Sequence, residues 1–240
     1  MKIFLFLFFT LLFFKPSFSQ TVQQNFNDLQ VRNAIDVYNN YNANNAPVYN
    51  GEAYLFYIFK MEGDPYFETG IFSPGWVNYK GRKYESLKLI YDVVRNDLVL
   101  LSPFHQLAIV AQNQFVDSFS LLGHTFIALQ EDHNQNLYNS GFYDLLYNGH
   151  IQFLERRVKT INSKIEGRIV VNQFIDKNRF YIHKGGLYYL VTNKKDVYRL
   201  FKDKIHDVKR FMRKNHLKLR HKNFESDMTK ITAFYDQLTH

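Results

Sequence analysis

The chain has 240 residues, a formal net charge of +8 and no cysteine. That length suits one sizeable core or two small ones. The missing thiols exclude disulfide stapling, thiolate metal sites, a cysteine nucleophile and the lipid-bearing cysteine of a bacterial lipoprotein, so packing and hydrogen bonds must hold the fold.

Residues 1–19 read as a secretory signal peptide. Lys2 precedes an apolar run from Ile3 to Phe14, Lys15 and Pro16 follow, and Ser17 and Ser19 place small residues ahead of Gln20. A basic start, an apolar stretch of about 7–15 residues and a small-x-small exit define such a leader. The run is too short for a membrane span, which needs about 20 apolar residues. The expected mature protein begins at Gln20 and is exported. An exported eukaryotic domain of this size usually carries disulfides, so the expected site is a bacterial periplasm or the inner side of an outer membrane. Seven of the 24 phenylalanines leave with the leader, and no later apolar run reaches membrane-spanning length.

Residues 20–50 form a polar, Asn-rich N-terminal segment. Asn39, Asn40, Asn42, Asn44 and Asn45 compete for their own backbone hydrogen bonds, so 39–50 reads as a loop. Residues 51–240 read as a single domain, without internal repeat or linker. From Ala53 to Val191, short aromatic and β-branched runs alternate with turn residues, the texture of an antiparallel sheet.

The expected strands are Tyr54 to Met61, Trp76 to Tyr79, Arg82 to Leu87, Leu87 to Val94, Leu98 to Leu101, Gln106 to Ala111, Phe115 to Leu121 and Thr125 to Leu129. Gly141 to Tyr147, Ile169 to Ile175, Arg179 to His183 and Leu187 to Val191 follow. Lys80-Gly81, Arg95-Asn96-Asp97, Asn148-Gly149 and Lys184-Gly185-Gly186 mark hairpins. Ile151 to Ile161 reads as a strand, although Ile151, Leu154, Val158 and Ile161 also fit a helical stripe.

At Asn193 the apolar period changes to 3.6. Val197, Leu200, Phe201, Ile205, Val208 and Met212 make one stripe over 194–215, with Asn193 as N-cap and Asp196 in the first turn. A second helix over 223–238 carries the stripe Phe224, Met228, Ile231, Phe234 and Leu238. The fold class is therefore α+β: an antiparallel meander of about ten strands, curved or partly closed, followed by two amphipathic helices.

The positive charge is local. Residues 194–222 hold eight lysines and four arginines against Asp196, Asp203 and Asp207, a net of +9. The rest of the mature chain is slightly acidic, so any electrostatic partner is to be sought at this element, with a solvated face as the default reading of such a charge run. Lys202, Lys209, Arg210, Arg213 and Lys214 are the candidate partner-binding residues. The partner would be an envelope protein or an anionic membrane surface; export argues against nucleic acid. Trp76, beside Pro74 and Gly75, is the candidate for stacking on a ligand.

Catalytic signatures are missing. The chain has no Gly-x-Ser-x-Gly elbow, phosphate loop, His-Glu-x-x-His or calcium loop. Its nine histidines are scattered, and no metal or cofactor is expected. Asp92 with Asp97, Glu131 with Asp132, and Asp144 between Tyr143 and Leu145 are the carboxylates able to build a composite hydrolytic site. For Asp144 the structural expectation is a solvent-facing or turn-bonded side chain.

Several segments carry a likeness beyond composition: Val77 to Gly81 with Tyr84, Leu89 to Asp92, Gly141 to Gly149 running into Arg156 to Lys159, and Arg210 to Asn215. They resemble exported proteins of the Bacteroidetes that have no known activity. The resemblance covers about 50–220 and transfers no functional residue. The leading expectation is an exported, non-enzymatic protein that binds an envelope partner through its basic helix. The alternatives are a periplasmic carrier of a lipid or other apolar ligand in the curved sheet, and a hydrolase with a composite carboxylate and histidine site.

Overall fold

Left-handed turns mark where the strands reverse. Lys80 and Gly81, at φ of 51° and 71°, join β1 (Ser73–Tyr79) to β2 (Arg82–Asp92), and Asn96 at 61° turns β2 into β3 (Asp97–Leu101). Leu122 and Gly123 link β5 (Val116–Leu121) to β6 (His124–Leu129), and Gly185 and Gly186 link β11 (Arg179–Lys184) to β12 (Leu187–Val191). Two successive positive φ angles match the strand twist, which is why Gly recurs there. The other strands are β4 (Ala108–Val110), β7 (Gly141–Asn148), β8 (Gln152–Arg156), β9 (Lys159–Glu166) and β10 (Ile169–Asp176). The computed structural model describes residues 46–58, 61–103, 106–167 and 169–239. The expected leader and most of the Asn-rich segment lie outside them.

Ten strands form one antiparallel sheet in the order β12-β11-β8-β7-β6-β5-β1-β2-β3-β4, and β9 and β10 form a separate hairpin. The class is α+β as expected, but the path is not a plain meander. β5 returns to pair with β1, and the β9–β10 hairpin interrupts the passage from β8 to β11. That hairpin also divides the strand expected over 151–161, which breaks at Arg157 and Val158.

The sheet coils without closing into a barrel. Tyr91 on β2 and Phe142 on β7 stand four strands apart, about 19 Å in a flat sheet. Their rings are 5.8 Å apart. Phe119 and Phe126 fill the hollow between them, stacked at 4.7 Å. Asn96 Oδ1 accepts from Tyr91 Oη at 2.9 Å and from Phe142 N at 3.2 Å, so the β2–β3 turn is tied to the start of β7.

Three helices cover the inner face at the β8–β12 end: α1 (Lys194–Leu200), α2 (Ile205–Lys214) and α3 (Phe224–Thr239). Val197, Phe201, Val208, Met212, Met228, Ile231 and Tyr235 pack there on Phe153, Ile182 and Val191. The expected single helix over 194–215 is two helices with a 3-10 turn at Lys202–Lys204 between them. The bend lets Phe201 enter the core and stack on Tyr235 at 4.0 Å. Burial of such a ring is worth about 1.5–3 kcal/mol, more than the 0.5–1.5 of a helical hydrogen bond lost at the break. In α3 the inward stripe runs through Tyr235; Phe234 instead stacks on Phe211 of α2, and Leu238 is exposed.

No strand forms over the described residues of Tyr54 to Met61. β4 is only three residues long, so it pairs with the chain at Glu52 to Tyr54 and no further. Beyond that, the aromatic run is used for hydrogen bonds. Tyr54 and Tyr57 donate to Asp92 Oδ2 at 2.7 and 3.1 Å, and Val94 and Arg95 N–H donate to Asp92 Oδ1 at 2.9 and 3.0 Å. Four donors make a fully buried carboxylate tolerable.

Candidate functional site

The helical end of the molecule carries its unbalanced charge. Asn193 Oδ1 accepts from Lys195 and Asp196 N–H, which starts α1 and directs Tyr198 outward one turn later. α2 lies alongside, with Val208 and Met212 turned inward and Lys209 and Arg213 outward. After α2 the chain turns back through His216 at φ 55° and Leu219 at 52°. Asp227 holds that turn by accepting Lys218 and Leu219 N–H at 3.0 and 2.9 Å.

The result is a cleft of about 500 Å³ whose polar lining is Lys194, Tyr198, Lys209, Arg213, His216 and Lys218, above Met212 and Leu217. Lys209 and Lys194 Nζ lie 4.9 and 5.4 Å from the centre of the Tyr198 ring, so both ammonium groups use its π face. No carboxylate lines the cleft. The three acids of this region serve other cations: Asp196 pairs with Arg199 at 2.8 Å, Asp207 with Arg210 at 3.5 Å and Asp203 with Lys184 at 3.6 Å. Among the described residues, none of Lys194, Lys209, Arg213 and Lys218 has a carboxylate within ion-pair distance.

The five residues chosen from sequence are all exposed, but the fold does not gather them in one place. Lys209 and Arg213 enter the cleft. Arg210 is paired outside it, Lys202 lies in a different groove along β12, and Lys214 lines neither. Lys194, Tyr198 and Lys218 were missed because α1 and the turn after α2 bring them in from the two ends of the basic segment. The pairings Asp196 with Arg199 and Asp207 with Arg210, both at i,i+3, are readable from spacing and mark two cations as already neutralised. Trp76, the candidate for stacking, lies inside β1 and is half-buried, with Lys83 Nζ 5.1 Å from its ring centre.

A second polar cluster sits where the aromatic hollow meets the helices. Asp144 on β7 and Glu155 on β8 are register partners and are each 1% exposed. Arg157 turns back over them. Its Nε and Nη2 donate to Asp144 Oδ2 at 3.0 and 2.6 Å, and its Nη1 lies 2.8 Å from Glu155 Oε2 and 3.1 Å from Glu225 of α3. His124 Nδ1 reaches the same Asp144 oxygen at 2.8 Å, so the expectation of an exposed or turn-bonded Asp144 is overturned. The position of Asp144 in its strand gives no hint of this, since the partners come from β6 and from beyond β8.

Burial pushes Glu155 up to about 8 against the pull of Arg157, and the neighbouring Glu225 and Asp144 carboxyls add to the rise. The bond to Asp144 raises His124 above the usual imidazole value, against the opposing effect of burial. A groove of about 1050 Å³ passes Glu155 and Glu225. The other ring nitrogen of His124, Nε2, lies 3.8 Å from Glu68 Oε1. No group of three or more His, Asp or Glu side chains is placed to hold a metal among the described residues. Their helices include none long and apolar enough to cross a membrane.

Comparison of the chain with protein-family models, with curated proteins and with solved structures gave no match in any of the three.

Proposed function

We propose that this is an exported, non-enzymatic protein of a bacterial envelope that binds an anionic partner through its helical end. The observation that carries the reading is the cleft around Tyr198, where four cations converge without a carboxylate. Like charges gathered this way repel, by about 1 kcal/mol per pair at 4 Å in water. No carboxylate among the described residues offsets that repulsion, the Tyr198 ring takes up only part of it for Lys194 and Lys209, and a bound anion would complete the balance. The cations belong to two helices and a turn braced by Asp227, so the site is preformed, which lowers the entropic cost of binding.

The alternatives gain less. A carrier of apolar ligands needs an enclosed apolar chamber, whereas the inner hollow is filled by Tyr91, Phe119, Phe126 and Phe142. A hydrolase needs a reactive group beside the buried carboxylates, and these are consumed by Arg157 and His124. The test is co-sedimentation of the protein with anionic and with zwitterionic vesicles over a salt series. Selective capture by the anionic vesicles that fades as salt rises supports the reading. Equal capture by both, independent of salt, contradicts a cationic site for a membrane surface, and an acidic envelope protein is then the partner to assay.

A further inference from the structure

The two edges of the sheet are finished differently. At β4 the edge is covered: Tyr54 N–H donates to Ala108 O and Val110 N–H to Glu52 O, both at 2.8 Å. At β12, among the described residues, no backbone hydrogen bond arrives from outside the sheet. The two-residue turn pairs Lys184 with Leu187, and antiparallel pairs alternate between bonded and non-bonded. Leu187, Tyr189 and Val191 therefore bond to β11, while Tyr188 and Leu190 direct N–H and C=O outward.

A slot of about 710 Å³ runs along this edge, lined from both faces of the sheet. Its outer wall is aromatic and apolar: Tyr138, Tyr181, Tyr188 and Leu190, with Tyr138 60% and Leu190 48% exposed. Its inner wall carries Lys184 and Lys202 beside the ion pair of Asp196 and Arg199, and Arg179 stands at one end, so the slot holds cations in excess of its single carboxylate. Lys184 has Asp203 at 3.6 Å, but among the described residues Lys202 and Arg179 have no carboxylate within ion-pair distance. An open edge normally invites another copy, and edge cations are a device against that. Two copies paired through β12 would bring these cations together.

From this geometry we infer that β12 accepts an eleventh strand, supplied by an acidic extended segment of another polypeptide. Side chains of a strand alternate between faces. The segment would present apolar residues to Tyr188 and Leu190 and acidic residues to Lys202, over about five residues or roughly 17 Å. Main-chain bonds to Tyr188 and Leu190 supply affinity and the two unlike walls supply specificity. This goes beyond the anion-binding cleft, with which the slot shares no lining residue.

The probe is a synthetic octapeptide of alternating valine and glutamate, titrated into the protein with amide hydrogen exchange as readout. The expected result is saturable binding with new protection at the amides of Tyr188 and Leu190. Leu190→Pro removes an outward N–H without breaking a β11 bond, and should abolish binding. Lys202→Glu leaves the backbone intact, which keeps the test decisive if the proline variant misfolds. It should weaken the glutamate peptide about fivefold, the limit for one exposed ion pair, and improve binding of the valine–lysine analogue. Lys209→Glu should change nothing here, which separates this site from the cleft. Failure of the protein to bind the peptide overturns the inference. So does binding that a folded Leu190→Pro retains, or a dimer that this variant dissolves.

Discussion

Two groups of charges lie at the helical end, and they are treated in opposite ways. The cluster around Arg157 is largely buried and paired: one guanidinium, 13% exposed, is shared among Asp144, Glu155 and Glu225, and His124 is a second partner for Asp144. The cleft around Tyr198 is exposed and unbalanced, with cations alone. A buried ion that lost its partner would be costly, so the first group must be complete. Exposed ions contribute little to stability, so the second can be left incomplete for a ligand. The first is architecture, and the second is where the proposed binding is placed.

The comparison breaks most visibly at Arg157. Arg157→Ala leaves two buried carboxyl groups without their cation and unpins α3 at Glu225; the expected loss is about 3–5 kcal/mol, measured by denaturant unfolding. Asp236 is next. It accepts from Tyr147 Oη at 2.9 Å and Ile151 N at 3.2 Å, which fastens α3 to the β7–β8 turn. Asp236→Ala should cost about 1–3 kcal/mol. A Cβ on Gly149 would lie 2.1 Å from Asp236 Oδ2, so Gly149→Ala should cost a similar amount by forcing the two apart.

A pH-dependent effect follows from titration. Glu155 and His124 both hold protons more tightly in the fold than in the unfolded chain. The folded state therefore binds more protons as pH rises from about 4.5 through about 8, and stability should fall over that window. Glu155→Gln should flatten the fall in Tm, where each kcal/mol corresponds to about 2–4 °C. A Tm that rises from pH 5 to 8 contradicts the raised proton affinities of Glu155 and His124. The smallest change in stability is expected in the cleft, where reversing Lys209, Arg213 and Lys218 should alter unfolding by less than about 1 kcal/mol per residue.

Much of the sheet was legible because local chemistry fixes it. Lys80-Gly81 and Gly185-Gly186 turn where left-handed residues were expected. Asn148-Gly149 also marked a real turn, but for another reason: Gly149 is needed for the close approach of Asp236, 87 residues away. The break after Phe201 and the use of Tyr54 and Tyr57 as donors to Asp92 were not legible, since a core position near Tyr235 and a distant Asp92 decide them. For the site, the basic segment was visible as a charge sum. Which cations face one another depended on a bend and a turn that no periodicity announces.

The central claim is that the unbalanced cations are a binding site rather than solvated surface. The most direct measurement compares capture by anionic vesicles for the wild type, for Lys209→Glu with Arg213→Glu and Lys218→Glu, and for Arg210→Glu, each with its melting curve. Arg210 is also exposed but lies outside the cleft, paired with Asp207. The account predicts that the triple variant stays folded and loses salt-sensitive binding, while Arg210→Glu retains most of it. Equal binding by all three proteins, or equal loss in both variants, would contradict it.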